Sequence, residues 1–275
     1  MKLCLSMWSL QEEIEAGRMD FDSFLSFCRL NAVENVELLD FFVHCGVPEI
    51  KRKLGDSGIR ADVWSVVNDF VQENPEGMEQ QIDYVKKGID IAAEIGAKVV
   101  RIFSGDSKDG ISYEKGKAWI IEALFNCEPY ARKSGITMAL ENHGLFAGTS
   151  GQIRDILKAV DSQWLRCTFD TANFLFVDED PLAAAENLME YTGLVHFKDY
   201  RLAGKDEEGY PSLGGIPYIG TPLGQGAVPL KGIAEKLASS GYDGSISIEF
   251  EGPEPVAGVE SSIRYTRKLL GGVEE

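Results

Sequence analysis

The chain has 275 residues, with 27 lysines and arginines against 44 aspartates and glutamates, for a formal charge of −17. A protein this acidic repels polyanions at long range, so neither nucleic acid nor an anionic membrane surface is an expected partner. With 44% hydrophobic and 26% charged residues the composition is that of a folded globular chain and excludes a disordered one.

The first residues, MKLCLSMWSLQEEIE, hold one short apolar stretch and no small-residue cleavage site, so no secretory signal is expected. Later apolar runs are broken by Asp40 and Glu122 well before a membrane helix would be complete. Five cysteines (Cys4, Cys28, Cys45, Cys127, Cys167) are scattered without a CxxC pair, which fits a reducing compartment and predicts a cytoplasmic protein.

Eight β-branched or aromatic runs follow in chain order: KLCLSMW from Lys2, NVELLDF from Asn35, IRADVWSV from Ile59, VVRIFSG from Val99, ITMALENH from Ile136, LRCTFDT from Leu165, GLVHFKDY from Gly193 and GSISIEFE from Gly244. Amphipathic stretches of helical period lie between them, such as those from Met78 and Tyr113. Gly96 and Gly135 stand where helices should stop, and Asp180-Pro181 and Val228-Pro229 where helices should start. Strict alternation of strand and helix implies parallel pairing, and eight units predict a (β/α)8 TIM barrel spanning residues 1–275 as one domain. The open doubly wound sheet is the alternative, weakened because no GxGxxG follows an early strand. Residues 201–228, with seven glycines and three prolines, are too long for an ordinary connection and predict a lid loop over the barrel's C-terminal face.

Side chains of a barrel strand alternate between interior and helices, so polar residues of one parity point inward together. In the fifth run Met138 and Leu140 take the outer parity and leave Glu141 and His143 inside; in the sixth Asp170 is inside; in the seventh His196 and Lys198; in the eighth Glu249 and Glu251. Glu141, Asp170, His196 and Glu249 therefore converge at four strand ends. Three carboxylates in one cavity need compensation, and a divalent cation supplies it. Three oxygen donors and one nitrogen favour manganese, with magnesium, cobalt or zinc as alternatives. Glu37 and Arg101, inward on the second and fourth runs, are expected to form an ion pair that supports the barrel.

The segments MALENH, FDTANF, VHFKD and SISIEFEG, with NDF at Asn68 and VVRIFSG at Val99, resemble in order and spacing the motifs of the xylose isomerase-like barrel superfamily of sugar isomerases and epimerases. The resemblance implies that Glu141, Asp170, His196 and Glu249 are the metal ligands and that Glu141 and Glu249 also act as catalytic bases. It further implies a sugar or polyol-derived small-molecule substrate and a homo-oligomer. The expected activity is a divalent-metal-dependent sugar isomerase or epimerase acting on a ketose or keto-sugar through a metal-stabilised enediolate. The alternative is a keto-sugar or keto-cyclitol dehydratase resembling inosose dehydratase, because Asn173 stands where ketose epimerases of the superfamily often carry a histidine. An endonuclease-like phosphodiesterase is disfavoured by three histidines and the net charge; a binding barrel without turnover is a fourth reading. His143 and Lys198 are candidate proton handlers, and Asn173, Arg201, Trp8, Trp64 and His44 complete the expected substrate-binding set.

Overall fold

The computed structural model describes residues 1–271. Its barrel strands are β1 (Lys2–Ser6), β2 (Asn35–Leu39), β3 (Arg60–Ser65), β4 (Val99–Ile102), β5 (Thr137–Glu141), β6 (Leu165–Asp170) and β7 (Thr192–Phe197). Three short strands follow, β8 (Tyr200–Leu202), β9 (Tyr210–Pro211) and β10 (Pro217–Gly220), before β11 (Ser245–Ile248). All eight barrel strands pair in parallel, and β1 closes on β11 with Lys2 opposite Ser245. The expected (β/α)8 barrel is the observed fold.

The helices are α1 (Gln11–Glu15), α2 (Phe21–Leu30), α3 (Val47–Ser57), α4 (Pro75–Ile95), α5 (Tyr113–Ser134), α6 (Ser150–Val160), α7 (Asn173–Phe176), α8 (Pro181–Leu188), α9 (Leu230–Ser239) and α10 (Pro255–Leu269). Gly96 and Gly135 end α4 and α5 in the left-handed conformation, with φ of 87° and 68°, which glycine adopts without a Cβ clash. Asp180 caps α8 with Pro181 in its first turn. The other expected start falls one residue late: Pro229 is the cap and α9 begins at Leu230. None of the helices among the described residues is long and apolar enough to cross a membrane.

The main core lies between strands and helices, where the outward-facing Met138, Leu140, Cys167, Phe169, Val195, Phe197, Ile246 and Ile248 are all buried. Inside the barrel, Val63, Ala139 and Leu194 form a separate small apolar layer. The barrel's charged interior residues thus rest on a dry floor, where electrostatic interactions are strong. A register shift between Cys167 and Thr168 in the β6–β7 ladder re-aims the end of β6, which carries Asp170.

The lid is built differently from the expectation. Residues 201–228 are no plain loop: β8, β10 and β9 form an antiparallel three-stranded sheet, with Tyr218 opposite both Leu202 and Tyr210. The rest of the lid is tied to the barrel by Asp199, whose carboxylate accepts from the backbone N–H groups of Gly224 and Gly226 at 2.9 Å and of Val228 at 3.1 Å. A lid whose backbone groups are paired in this way is an ordered wall.

Candidate metal centre and active site

Glu141 at the end of β5, Asp170 at the end of β6, His196 in β7 and Glu249 just after β11 are all buried, and each offers a donor atom within 4.8 Å of the other three. His196 Nδ1 lies 3.6 Å from Glu249 Oε1, 3.7 Å from Glu141 Oε2 and 3.9 Å from Asp170 Oδ2. These spacings are longer than hydrogen bonds, and Glu141 Oε2, Asp170 Oδ2 and His196 Nδ1 have no hydrogen-bond partner. Buried polar atoms without hydrogen bonds that converge on one point are a donor set suited to a cation.

The surroundings hold each donor in place. His196 Nε2 faces Glu37 Oε2 at 3.1 Å, and Glu37 is itself fixed by hydroxyl donation from Ser65 at 2.5 Å and Ser247 at 2.6 Å. A carboxylate behind the far nitrogen of a histidine orients the ring and makes it a better ligand. Asn142 fastens β5 to β6, donating to the Asp170 carbonyl at 3.0 Å and accepting from its N–H at 2.7 Å. Asp170 Oδ1 caps the N–H groups of Ala172 and Asn173, at 2.8 and 2.9 Å, so that Oδ2 alone faces the cluster. The Asn173 amide donates to Glu141 Oε1 at 3.1 Å.

Charge is unbalanced around this point. Among the described residues, Glu37, Glu141, Asp170, Glu249 and Glu251 meet only two permanent cations, Arg101, 3.3 Å from Glu141, and Lys198, 2.6 Å from Glu249, 3.0 Å from Glu251 and 3.5 Å from Asp170. Burial accordingly pushes the Asp170 carboxyl up to about 7 and raises that of Glu141. Burial acts on Glu249 in the same direction, yet Lys198 and His196 override it and hold that carboxyl well below the usual range. Burial would lower the pKa of His196, but Glu37 and Glu249 raise it well above its ordinary value. A divalent cation would neutralise two of the three excess negative charges and remove the need for protons on the cluster.

Of the expected substrate-binding residues, His143, Asn173 and Lys198 line a cavity of about 590 Å³ above the cluster. His143 packs against Phe103 with ring centres 4.8 Å apart, and desolvation followed by the charges of Lys198 and Arg101 lowers its pKa. Trp8 does not line the cavity but donates to Glu251, which does, at 2.7 Å. Three further residues lie away from it. Trp64 is buried in the helix-facing core beside Gly88 of α4; its neighbours Val63 and Ser65 point inward, so its parity is outward and that signal was present in the sequence. His44 is exposed between β2 and α3 and borders a separate groove with Asp40 and Tyr84. Arg201 pairs with Glu207 at 2.7 Å within the lid. The expected Glu37–Arg101 pair is also loose, at 4.0 Å, because Arg101 sits nearer Glu141.

Sequence reasoning missed Glu251 and Tyr200 as site residues. Both line the cavity, and the Tyr200 hydroxyl donates to Glu251 Oε2. The inward parity of Glu251, two residues beyond Glu249, was the available signal.

Fold and cluster together define a (β/α)8 barrel with a carboxylate-imidazole centre suited to a divalent cation. Residues 32–269 match the family model described as xylose isomerase-like TIM barrel, and the chain belongs to that family. It is 29% identical over 126 residues to an inosose dehydratase of Lacticaseibacillus casei, a match covering 44% of this chain and 42% of that protein. It is 25% identical over 226 residues to an inosose dehydratase of Geobacillus thermodenitrificans, covering 76% of this chain and 74% of the relative. The chain therefore spans less than half of the first of these relatives and about three quarters of the second. Among solved structures, the IolI protein with a bound zinc atom shares the fold at a TM-score of 0.80 and 16% identity over 98% of each chain.

Proposed function

We propose that the protein is a divalent-metal-dependent dehydratase, eliminating water from a keto-cyclitol or keto-sugar at the Glu141, Asp170, His196, Glu249 centre. The observation that carries this reading is the Lys198 ammonium 2.6 Å from Glu249. Elimination needs a base for the carbon-bound proton and an acid for the departing hydroxyl, and this adjacent pair supplies both for a syn elimination. The inosose dehydratase relatives support the same choice.

When bound, the cation polarises the substrate carbonyl and lowers the cost of negative charge on its oxygen. Glu249, kept ionised by Lys198 and His196, takes the proton from the carbon next to the carbonyl. Lys198 gives a proton to the leaving hydroxyl. Burial would lower the pKa of Lys198, but Asp170 and Glu249 hold it well above its ordinary value, and neutralising those carboxylates brings it back toward donation. Glu251, 3.0 Å away, keeps the ammonium aimed into the cavity. Glu141, bound by Asn173 through one oxygen and near Arg101 through the other, serves as a fixed ligand. The donor set suits manganese, magnesium, cobalt or zinc.

Epimerisation is the second reading, favoured by the presence of two glutamates, Glu141 and Glu249, at one centre. The test is to incubate metal-loaded protein with an inosose and follow the near-ultraviolet absorbance and the products. Growth of an enone or diketone band establishes elimination. Interconversion of epimers without a new band establishes the second reading, and turnover of neither kind removes both.

A further inference from the structure

The cavity beside the cluster is larger and more apolar in its lining than a lone polyol ring requires. At about 590 Å³ it is some four times the ~150 Å³ that accommodates a benzene ring. Its lining is of two kinds. His143, Asn173, Lys198 and Glu251 are polar, with Asn173 and Lys198 touching Glu141 and Glu249 of the cluster; Leu145, Phe176, Val177, Tyr210, Pro211 and Leu213 make an apolar wall. Ser212 beside that wall is already paired, donating to Asp178 at 2.6 Å and accepting from the Ile216 N–H at 3.1 Å. Hydroxyl groups turned toward such a wall would lose water and gain few partners.

The wall is also unfinished. Leu145, Tyr210 and Leu213 are 45%, 65% and 67% exposed although all three border the cavity. The lid backbone beside Leu213 is fixed: the Leu213 N–H donates to the Phe176 carbonyl at 2.9 Å, and Gly214 donates to Asp178 at 2.6 Å. Apolar side chains open to water, in a cavity whose wall also holds the Lys198 and Asn173 that touch Glu249 and Glu141, are a surface that a ligand covers.

We propose that the substrate has two parts, a keto-polyol ring that meets the metal cluster and an apolar, ring-sized substituent that lies between Phe176 and the lid residues Tyr210 and Leu213. This rests on the reading of the cluster as the seat of the chemistry and narrows the substrate to substituted keto-sugars or keto-cyclitols.

The experiment is calorimetric titration of the metal-loaded full chain with phenyl β-glucoside and with methyl β-glucoside, two probes that share the polyol ring and differ in the apolar part. The phenyl probe is expected to bind roughly tenfold more tightly or better. Leu213→Asn and Leu145→Asn replace exposed side chains, so neither threatens the fold; each is expected to shrink that preference severalfold while metal content stays that of the parent. Equal affinity for the two probes, no measurable binding of the phenyl probe at millimolar concentration, or a preference untouched by both variants overturns the proposal. Failure of the underlying reading is seen separately, as absence of bound metal in the parent protein.

Discussion

Asp170 is the residue where burial and function conflict most openly. Its carboxyl is fully buried, one oxygen caps two backbone N–H groups and the other accepts no hydrogen bond among the described residues, with Lys198 3.5 Å away, so without a cation the group is better protonated, with a pKa of about 7 against 3.8 for a free aspartate. A carboxyl whose folded pKa is raised adds stability at low pH that is lost as pH climbs from the unfolded to the folded value. Asp170→Asn, which imitates the protonated form, should therefore be about as stable as the metal-free parent near pH 4 and increasingly more stable than it up to pH 7, with the difference constant above. Thermal melts of both proteins in chelator across that range check this; a difference that shrinks as pH rises would refute it. The same variant should contain no metal by mass spectrometry where the parent holds about one ion per chain. Glu37→Gln tests the neighbouring inference. It leaves all four donors in place but removes the charge behind His196 Nε2, and metal affinity should fall by roughly 10–100-fold. These donors were legible in the sequence because strand parity is a strict period of two. Glu37 was legible only as an inward residue, since its partner depends on the height of β2 in the barrel relative to β7, which sequence period does not report.

At the scale of elements, the eight strands and the helix ends at Gly96, Gly135 and Asp180 followed from local chemistry: β-branched runs, left-handed stop residues and a carboxylate cap. The lid did not. Its strands are two to four residues long, and the segment after them is held by Asp199 and by close backbone contacts that no periodicity announces. Gly220 in β10 lies so near the Glu251 carbonyl that a Cβ would come within 1.3 Å, and a Cβ on Gly226 would meet Asp199 Oδ1 at 2.1 Å. Gly220 and Gly226 are thus points where the lid touches the barrel. Asp199→Ala removes three hydrogen bonds to the lid backbone, each worth about 1 kcal/mol net and more where the freed N–H stays buried. The amides of Gly224, Gly226 and Val228 should then exchange with solvent at least tenfold faster, while Asp170 and its neighbours keep the metal. Hydrogen exchange read alongside metal content distinguishes a loosened lid from a damaged centre, and unchanged protection at these amides would show that Asp199 does not anchor it.

For the whole molecule, folding and cation binding are coupled because the donors come from four strands that meet only in the closed barrel: β5, β6, β7 and the end of β11. The unfolded chain offers no such site, so a cation that binds the native state stabilises it by mass action, about 2.7 kcal/mol at one hundred times its dissociation constant. For a chain of this length about 1 kcal/mol moves the midpoint by roughly 2–4 °C, so saturating metal should raise Tm by roughly 5–11 °C. The chain's −17 charge adds to this at a distance, since it concentrates divalent cations around the surface and should make uptake faster at low ionic strength than at high. The buried cluster itself is poorly screened, so the size of the Tm shift at saturation should depend little on salt while the rate of uptake depends on it strongly. Melts of chelator-treated protein with added manganese, magnesium, cobalt or zinc, at low and high salt, test both statements, with Asp170→Asn as the control that should not respond. A shift of equal size in parent and variant would place the cation on the acidic surface instead of in the barrel, and no shift with any of the four ions would mean that Lys198, Arg101 and protons alone balance the cluster.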